Sequence, residues 1–206
     1  MKAMLLAAAF GVLSVVSAQA QSAPAVNAAS SAPRVDAEGP QVTMQTDMGD
    51  VVLALDRVNA PKTVANFLRY VRAGYFNNIQ IYRIERDFVI QMGGLTAAGK
   101  NRPALYPPIP LESGLPHARG AVAMARGEDP NSASQTFYID LAANAALSAK
   151  PDAPPNTTGY AVFGHVIAGM DVVDAIGAAE LGGDGPFPGK APKTPIIVKK
   201  IAVTKE

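Results

Sequence analysis

From Gln41 onward the apolar residues come in short runs, each cut by Gly, Pro, Asn or Asp before a long helical period can build. This punctuation constrains the fold more than any other feature. Residues 42–46, 50–56, 81–85, 88–92, 121–125, 136–141, 161–167 and 196–203 read as strands, being rich in Val, Ile, Phe and Tyr. Met48-Gly49-Asp50 signals a hairpin between the first two, Arg86-Asp87 links the next pair, and Gly93-Gly94 is expected to end the fourth strand. Two stretches keep helical spacing. Val64, Phe67, Leu68 and Val71 form one stripe, after Asn59 as candidate cap and Pro61 in the first turn. Met170, Val172, Val173 and Ile176 form the other, ending near Gly177. Roughly eight strands and two helices without a long repeat favour a mainly β fold. The expected architecture is one closed eight-stranded antiparallel β-barrel capped by two α-helices. Closure also removes the unpaired edges that invite aggregation. Residues 96–110, 141–158 and 182–195 are Gly/Pro-interrupted and read as loops.

The stretch most suggestive of chemistry is I-Y-R-I-E-R-D-F-V-I-Q-M-G-G, residues 81–94. A hairpin centred on Arg86-Asp87 sets Arg83 opposite Ile90–Gln91. A guanidinium, an amide and the Phe88 ring then meet on a mostly apolar sheet. Arginine is costly to bury without partners. The ordinary alternative is a solvated strand arginine paired with Glu85, two residues along on the same side.

The N-terminus stands apart. Lys2 precedes an apolar run over residues 3–16 and then Ser17-Ala18-Gln19-Ala20, the pattern of a secretory signal peptide cleaved after Ala20. The run is too short to span a bilayer as a helix. Residues 21–40, rich in Ala, Ser, Pro and Asn, read as a flexible linker, and the folded domain is expected over 41–206. The expected location is therefore periplasmic or secreted. The chain has no cysteine, so an ordinary core must hold it together. With 18 Lys+Arg against 17 Asp+Glu and no basic block, neither nucleic acid nor an anionic membrane is an expected partner. His117 and His165 lack ligand-spaced companions, so no metal and no cofactor are expected.

Several segments in order carry a family likeness. Tyr82-Arg83-Ile84 and Phe88-Val89-Ile90-Gln91-Met92-Gly93-Gly94 resemble the central strand pair of cyclophilin-type peptidyl-prolyl isomerases. Residues 119–126 (R-G-A-V-A-M-A-R), 134–139 (S-Q-T-F-Y-I) and 159–164 (G-Y-A-V-F-G) resemble three further family segments, and Gly169-Met170-Asp171 the start of the last helix. The resemblance implies an eight-stranded barrel with two helices and rotation about Xaa-Pro bonds as the reaction. It implies Arg83 as the catalytic arginine, with Phe88, Val89, Gln91, Ala125, Arg126, Gln135, Phe137 and Tyr160 lining the substrate groove. Proline-containing polypeptides are the implied partners of a monomer. Where many relatives carry an aromatic before the last groove strand, this chain has Asn156-Thr157-Thr158 and no tryptophan, which implies a more open or polar wall.

Such a reaction needs no nucleophile, base or metal. A fixed guanidinium aimed at the twisted amide, beside an apolar floor of Phe88 and Phe137, is sufficient, and neutral Gln91 and Gln135 can hold it without cancelling its charge. Two other classes compete. A proline-peptide-binding module or holdase would not need Arg83. A small-ligand carrier barrel would be hollow, whereas these dense Val, Ile, Leu and Phe strands imply a filled interior.

Overall fold

The computed structural model describes residues 39–206; the expected signal peptide and all but the last two residues of the linker lie outside the described residues. In chain order the elements are β1 (Gln41–Thr46), β2 (Gly49–Leu55), α1 (Pro61–Arg72), β3 (Ile79–Glu85), β4 (Val89–Thr96), β5 (Ala121–Met124), β6 (Phe137–Asp140), a single 3₁₀ turn (Ala145–Leu147), β7 (Val162–Ala168), α2 (Met170–Gly177), β8 (Leu181–Gly183), β9 (Ala191–Pro192) and β10 (Ile196–Lys205). Eight strands close in the order β1-β10-β3-β4-β6-β5-β7-β2, every pairing antiparallel. The expected barrel is therefore present. β8 and β9, read from sequence as loop, form a separate small hairpin.

Side chains fill the barrel. Phe67 and Phe76 stack with centroids 5.2 Å apart, Phe137 meets them edge-on at 5.2 and 5.3 Å, and Phe163 lies 5.0 Å from Phe67. Met44, Leu53, Leu55, Ile79, Ile81 and Ile84 complete a fully buried shell. A filled interior excludes the carrier-barrel reading.

α1 buries the expected stripe of Val64, Phe67, Leu68 and Val71, with Tyr70 added. Its start departs from expectation. Pro61 opens the helix, but Asn59 does not cap it, because Asn59 donates instead to the Asp56 carboxylate at 2.7 Å. The free N–H groups of Lys62 and Thr63 find the Glu112 carboxylate at 3.1 and 2.8 Å, from 50 and 49 residues away. An anion at a helix N-terminus is favourable in itself, and this one also ties the loop after β4 to the helix.

β4 runs on through Gly93 and Gly94 to Thr96, so the glycines do not break it. Gly93 has φ +98°, and a Cβ there would collide with the Gln135 carbonyl oxygen. Here glycine provides close approach to the chain entering β6 rather than termination. Among the described residues no helix is long and apolar enough to cross a membrane, and no group of three or more His, Cys, Asp or Glu is placed to hold a metal ion.

Candidate active site

The strands β3, β4, β6, β5 and β7 lie side by side in the barrel wall. Period-2 alternation sends every second side chain outward. On β3 and β4 the register pairs Arg83 with Gln91, as the hairpin signal implied. Outside these strands lies a pocket of about 330 Å³, lined by Arg83, Phe88, Val89, Gln91, Ala125, Arg126, Tyr138, Leu147, Tyr160 and Phe187.

Arg83 is held from several sides. Its Nη1 donates to Gln91 Oε1 at 2.9 Å, and Gln91 Nε2 donates to the Tyr82 hydroxyl at 3.1 Å. Gln91 is thus fixed at both ends and keeps its carbonyl oxygen turned to the guanidinium. Glu85 Oε1 accepts from Arg83 at 3.2 Å, while Glu85 Oε2 takes the shorter 2.6 Å bond from Lys190. The Lys190 hydrogen bond is the chief reason that the Glu85 carboxyl is held below its ordinary value, with Arg83 contributing less. Two cations share one carboxylate, so the cluster keeps a net positive charge. Arg83 remains about a quarter exposed and open to the pocket. Its guanidinium carbon also lies 5.0 Å from the Phe187 ring centroid.

At the other end, Arg126 Nε donates to the Gly159 carbonyl at 2.9 Å, and its guanidinium stands 4.9 Å over the Tyr160 ring. Behind the floor, His117 Nδ1 and Asp140 Oδ2 are hydrogen-bonded at 2.8 Å with both side chains fully buried, and Asp140 Oδ1 accepts from Asn144 at 2.7 Å. His117 stacks on Tyr138 at 6.0 Å. Burial, and secondarily the Asp140 charge, pushes the Tyr138 hydroxyl far above the ordinary phenol range.

Six of the eight expected groove residues therefore come together with Arg83: Phe88, Val89, Gln91, Ala125, Arg126 and Tyr160. Two do not. Phe137 is fully buried inside the barrel against Phe67 and Phe76. Alternation on β6 turns Phe137 and Ile139 inward, so Tyr138, opposite Gln91, takes the outward place. Gln135 precedes β6, accepts from the Ser134 hydroxyl, and is not part of the lining. Leu147 and Phe187 join the site from segments read as loop. Leu147 supplies an apolar wall, whereas Asn156, Thr157 and Thr158 stay at the periphery, with Asn156 Oδ1 accepting from the Ser113 backbone at 3.1 Å.

A filled antiparallel barrel with a clamped arginine over an external apolar pocket defines the architecture of a prolyl isomerase. Residues 41–203 match the family described as "Cyclophilin type peptidyl-prolyl cis-trans isomerase/CLD", and the chain belongs to that family. It is 43% identical over 142 residues to peptidyl-prolyl cis-trans isomerase cyp18 of Streptomyces antibioticus, spanning 68% of this chain and 85% of the relative. It is 37% identical over 166 residues to peptidyl-prolyl cis-trans isomerase B of Escherichia coli, spanning 80% and 99% respectively. In fold it is similar to a Cryptosporidium parvum cyclophilin-type isomerase whose structure was determined in the presence of the dipeptide Ala-Pro. That likeness has a TM-score of 0.67 at 24% identity and covers 81% of this chain and 99% of that one.

Proposed function

We propose that this isomerase acts on Xaa-Pro bonds of folding polypeptides by presenting the Arg83 guanidinium to the twisted amide. Resonance sets a barrier of about 18–20 kcal/mol to rotation about a peptide bond. On twisting, the prolyl nitrogen loses conjugation and becomes a better acceptor. A donor fixed at that point binds the twisted form more tightly than either planar form, and only such differential binding raises the rate. The carrying observation is the Gln91 clamp: a neutral amide at 2.9 Å fixes the guanidinium without neutralising it. Phe88, Val89, Ala125 and Leu147 offer the proline ring an apolar bed, and water shed from it strengthens the polar contact.

The same reading takes the domain as a monomer. Its large exposed apolar residues are few among the described residues: Met48, Val58, Leu105, Ile167 and Phe187, each on a different segment of the sequence. The N-terminal pattern of Lys2, an apolar run and Ala18-Gln19-Ala20 supports export, with proline-containing clients met outside the cytoplasm.

A coupled prolyl-peptide assay tests the mechanism. Arg83→Ala is expected to lower kcat/KM by about 10²–10³-fold, the scale for removing one transition-state donor. Peptide affinity and melting temperature should change little. Unaltered turnover in that variant overturns the arginine mechanism. Unaltered protection of a client protein by the inactive variant identifies a holdase instead.

A further inference from the structure

We propose that Phe187 is a specificity-determining residue, an aromatic wall at the Arg83 end of the groove against which a side chain flanking the substrate proline packs. The inference rests on the isomerase reading and extends it to substrate choice. Phe187 lies between β8 and β9, in a segment tied to β3 through Lys190. Ile84 N donates to the Lys190 carbonyl at 2.8 Å, Lys190 N donates to the Phe187 carbonyl at 3.1 Å, and Lys190 Nζ reaches Glu85 at 2.6 Å. Pro186 and Pro188 on either side fix two further backbone angles. The ring is thus held in place before any substrate arrives. It lies parallel to Tyr82 at 6.2 Å with 7° between the planes, and beside the Arg83 guanidinium.

A ring needed only to pack on Tyr82 and Arg83 has no reason to stay open, yet Phe187 is 38% exposed and lines the pocket. The strand order puts Arg83 and Phe187 at one end of the groove and Arg126 and Tyr160 at the other. A peptide whose proline lies between them extends by about 3.3 Å per residue, so a flanking side chain reaches the Phe187 end. Apolar and aromatic flanks gain contact area there, an acidic flank loses hydration against the electron-rich ring face, and a Lys flank can rest its ammonium over that face.

The test uses the folded domain with peptides in which the residues before and after proline are varied separately through Ala, Leu, Phe, Glu and Lys. Wild type is expected to favour Leu and Phe over Glu at one flank. Phe187→Ala should reduce that preference about three- to tenfold, mainly through KM, and Phe187→Tyr should retain it. Should Phe187→Ala fold poorly, Phe187→Leu keeps the apolar volume and should lose the preference for Phe over Leu. An equal loss across all peptides, or an unchanged panel, overturns the inference. Wild type inactive on every peptide overturns the isomerase reading itself, a result distinct from an active enzyme with a flat panel.

Discussion

The two faces of β4, β6 and β5 are built from the same strands and answer to different demands. Inward, Ile90, Met92, Val122, Met124, Phe137 and Ile139 join the main core. Outward, Val89, Ala121, Ala123 and Tyr138 form a second, smaller cluster with half-buried Phe88, Leu115, Ala125, Leu147 and Tyr160. The inner face is all apolar volume. The outer face mixes small residues with polar ones: Ala125 leaves room in the pocket, while Gln91, Tyr138 and the Asp140–His117 pair sit around and beneath it. Packing density sets what the inner face tolerates, and hydrogen-bond geometry sets what the outer face tolerates.

Truncation of the inner face separates the two most sharply. Phe137→Ala is expected to destabilise the fold by about 3–5 kcal/mol, the cost of a large core cavity. Catalysis per folded molecule should survive, because Phe137 does not line the groove. Denaturant unfolding together with the peptide assay checks both halves. A selective loss of turnover would return Phe137 to the site.

The outer base comes next. Asp140→Ala removes acceptors from His117 and Asn144 inside the protein and should cost about 2–3 kcal/mol. Unlike Phe137→Ala, it should also lower turnover, since Tyr138 and Tyr160 pack against the His117 ring that it frees.

The smallest effect concerns Lys190. Its removal leaves Glu85 to pair with Arg83 alone, so Lys190→Ala is expected to lower kcat/KM only about two- to threefold, as fits a partly exposed ion pair. The Glu85 carboxyl is held below its ordinary value of 4.5. Its ion pairs therefore add stability above that pH, and the contribution fades as the pH falls through the lowered folded value. Melting curves between pH 7 and pH 3 should show this increment in wild type and not in Glu85→Gln.

The barrel and both helices were legible from sequence because each strand is a short β-rich run and each helix carries one stripe. Part of the groove was legible for a related reason: Arg83, Phe88 and Gln91 belong to one hairpin, whereas Val89, Ala125, Arg126 and Tyr160 came only from the family resemblance. The errors lie where pairing is set from outside the segment. Phe137 and Tyr138 are adjacent aromatics in a four-residue strand, and only the neighbour's register decides which faces outward. The choice does not rest on the hydroxyl, since Tyr138 is itself buried and its hydroxyl has no hydrogen-bond partner among the described residues. Phe187 sits in a Gly/Pro-rich stretch far along the chain. Its nearest signal was a lone aromatic between two prolines, and nothing local ties it to Arg83. Glu112 as the cap of α1 was hidden in the same way, by distance along the chain.

β10 lies between β1 and β3, with Gln41 against Lys205 at one seam and Ile196 against Ile81 at the other. It is also the last barrel strand to be synthesised. Without residues 196–205 the other seven strands would make an open ribbon whose two edges are β1 and β3. Losing residues 196–205 would therefore open the ring at two seams at once, and leave a nearly complete groove on a sheet with two exposed, pairing-prone borders.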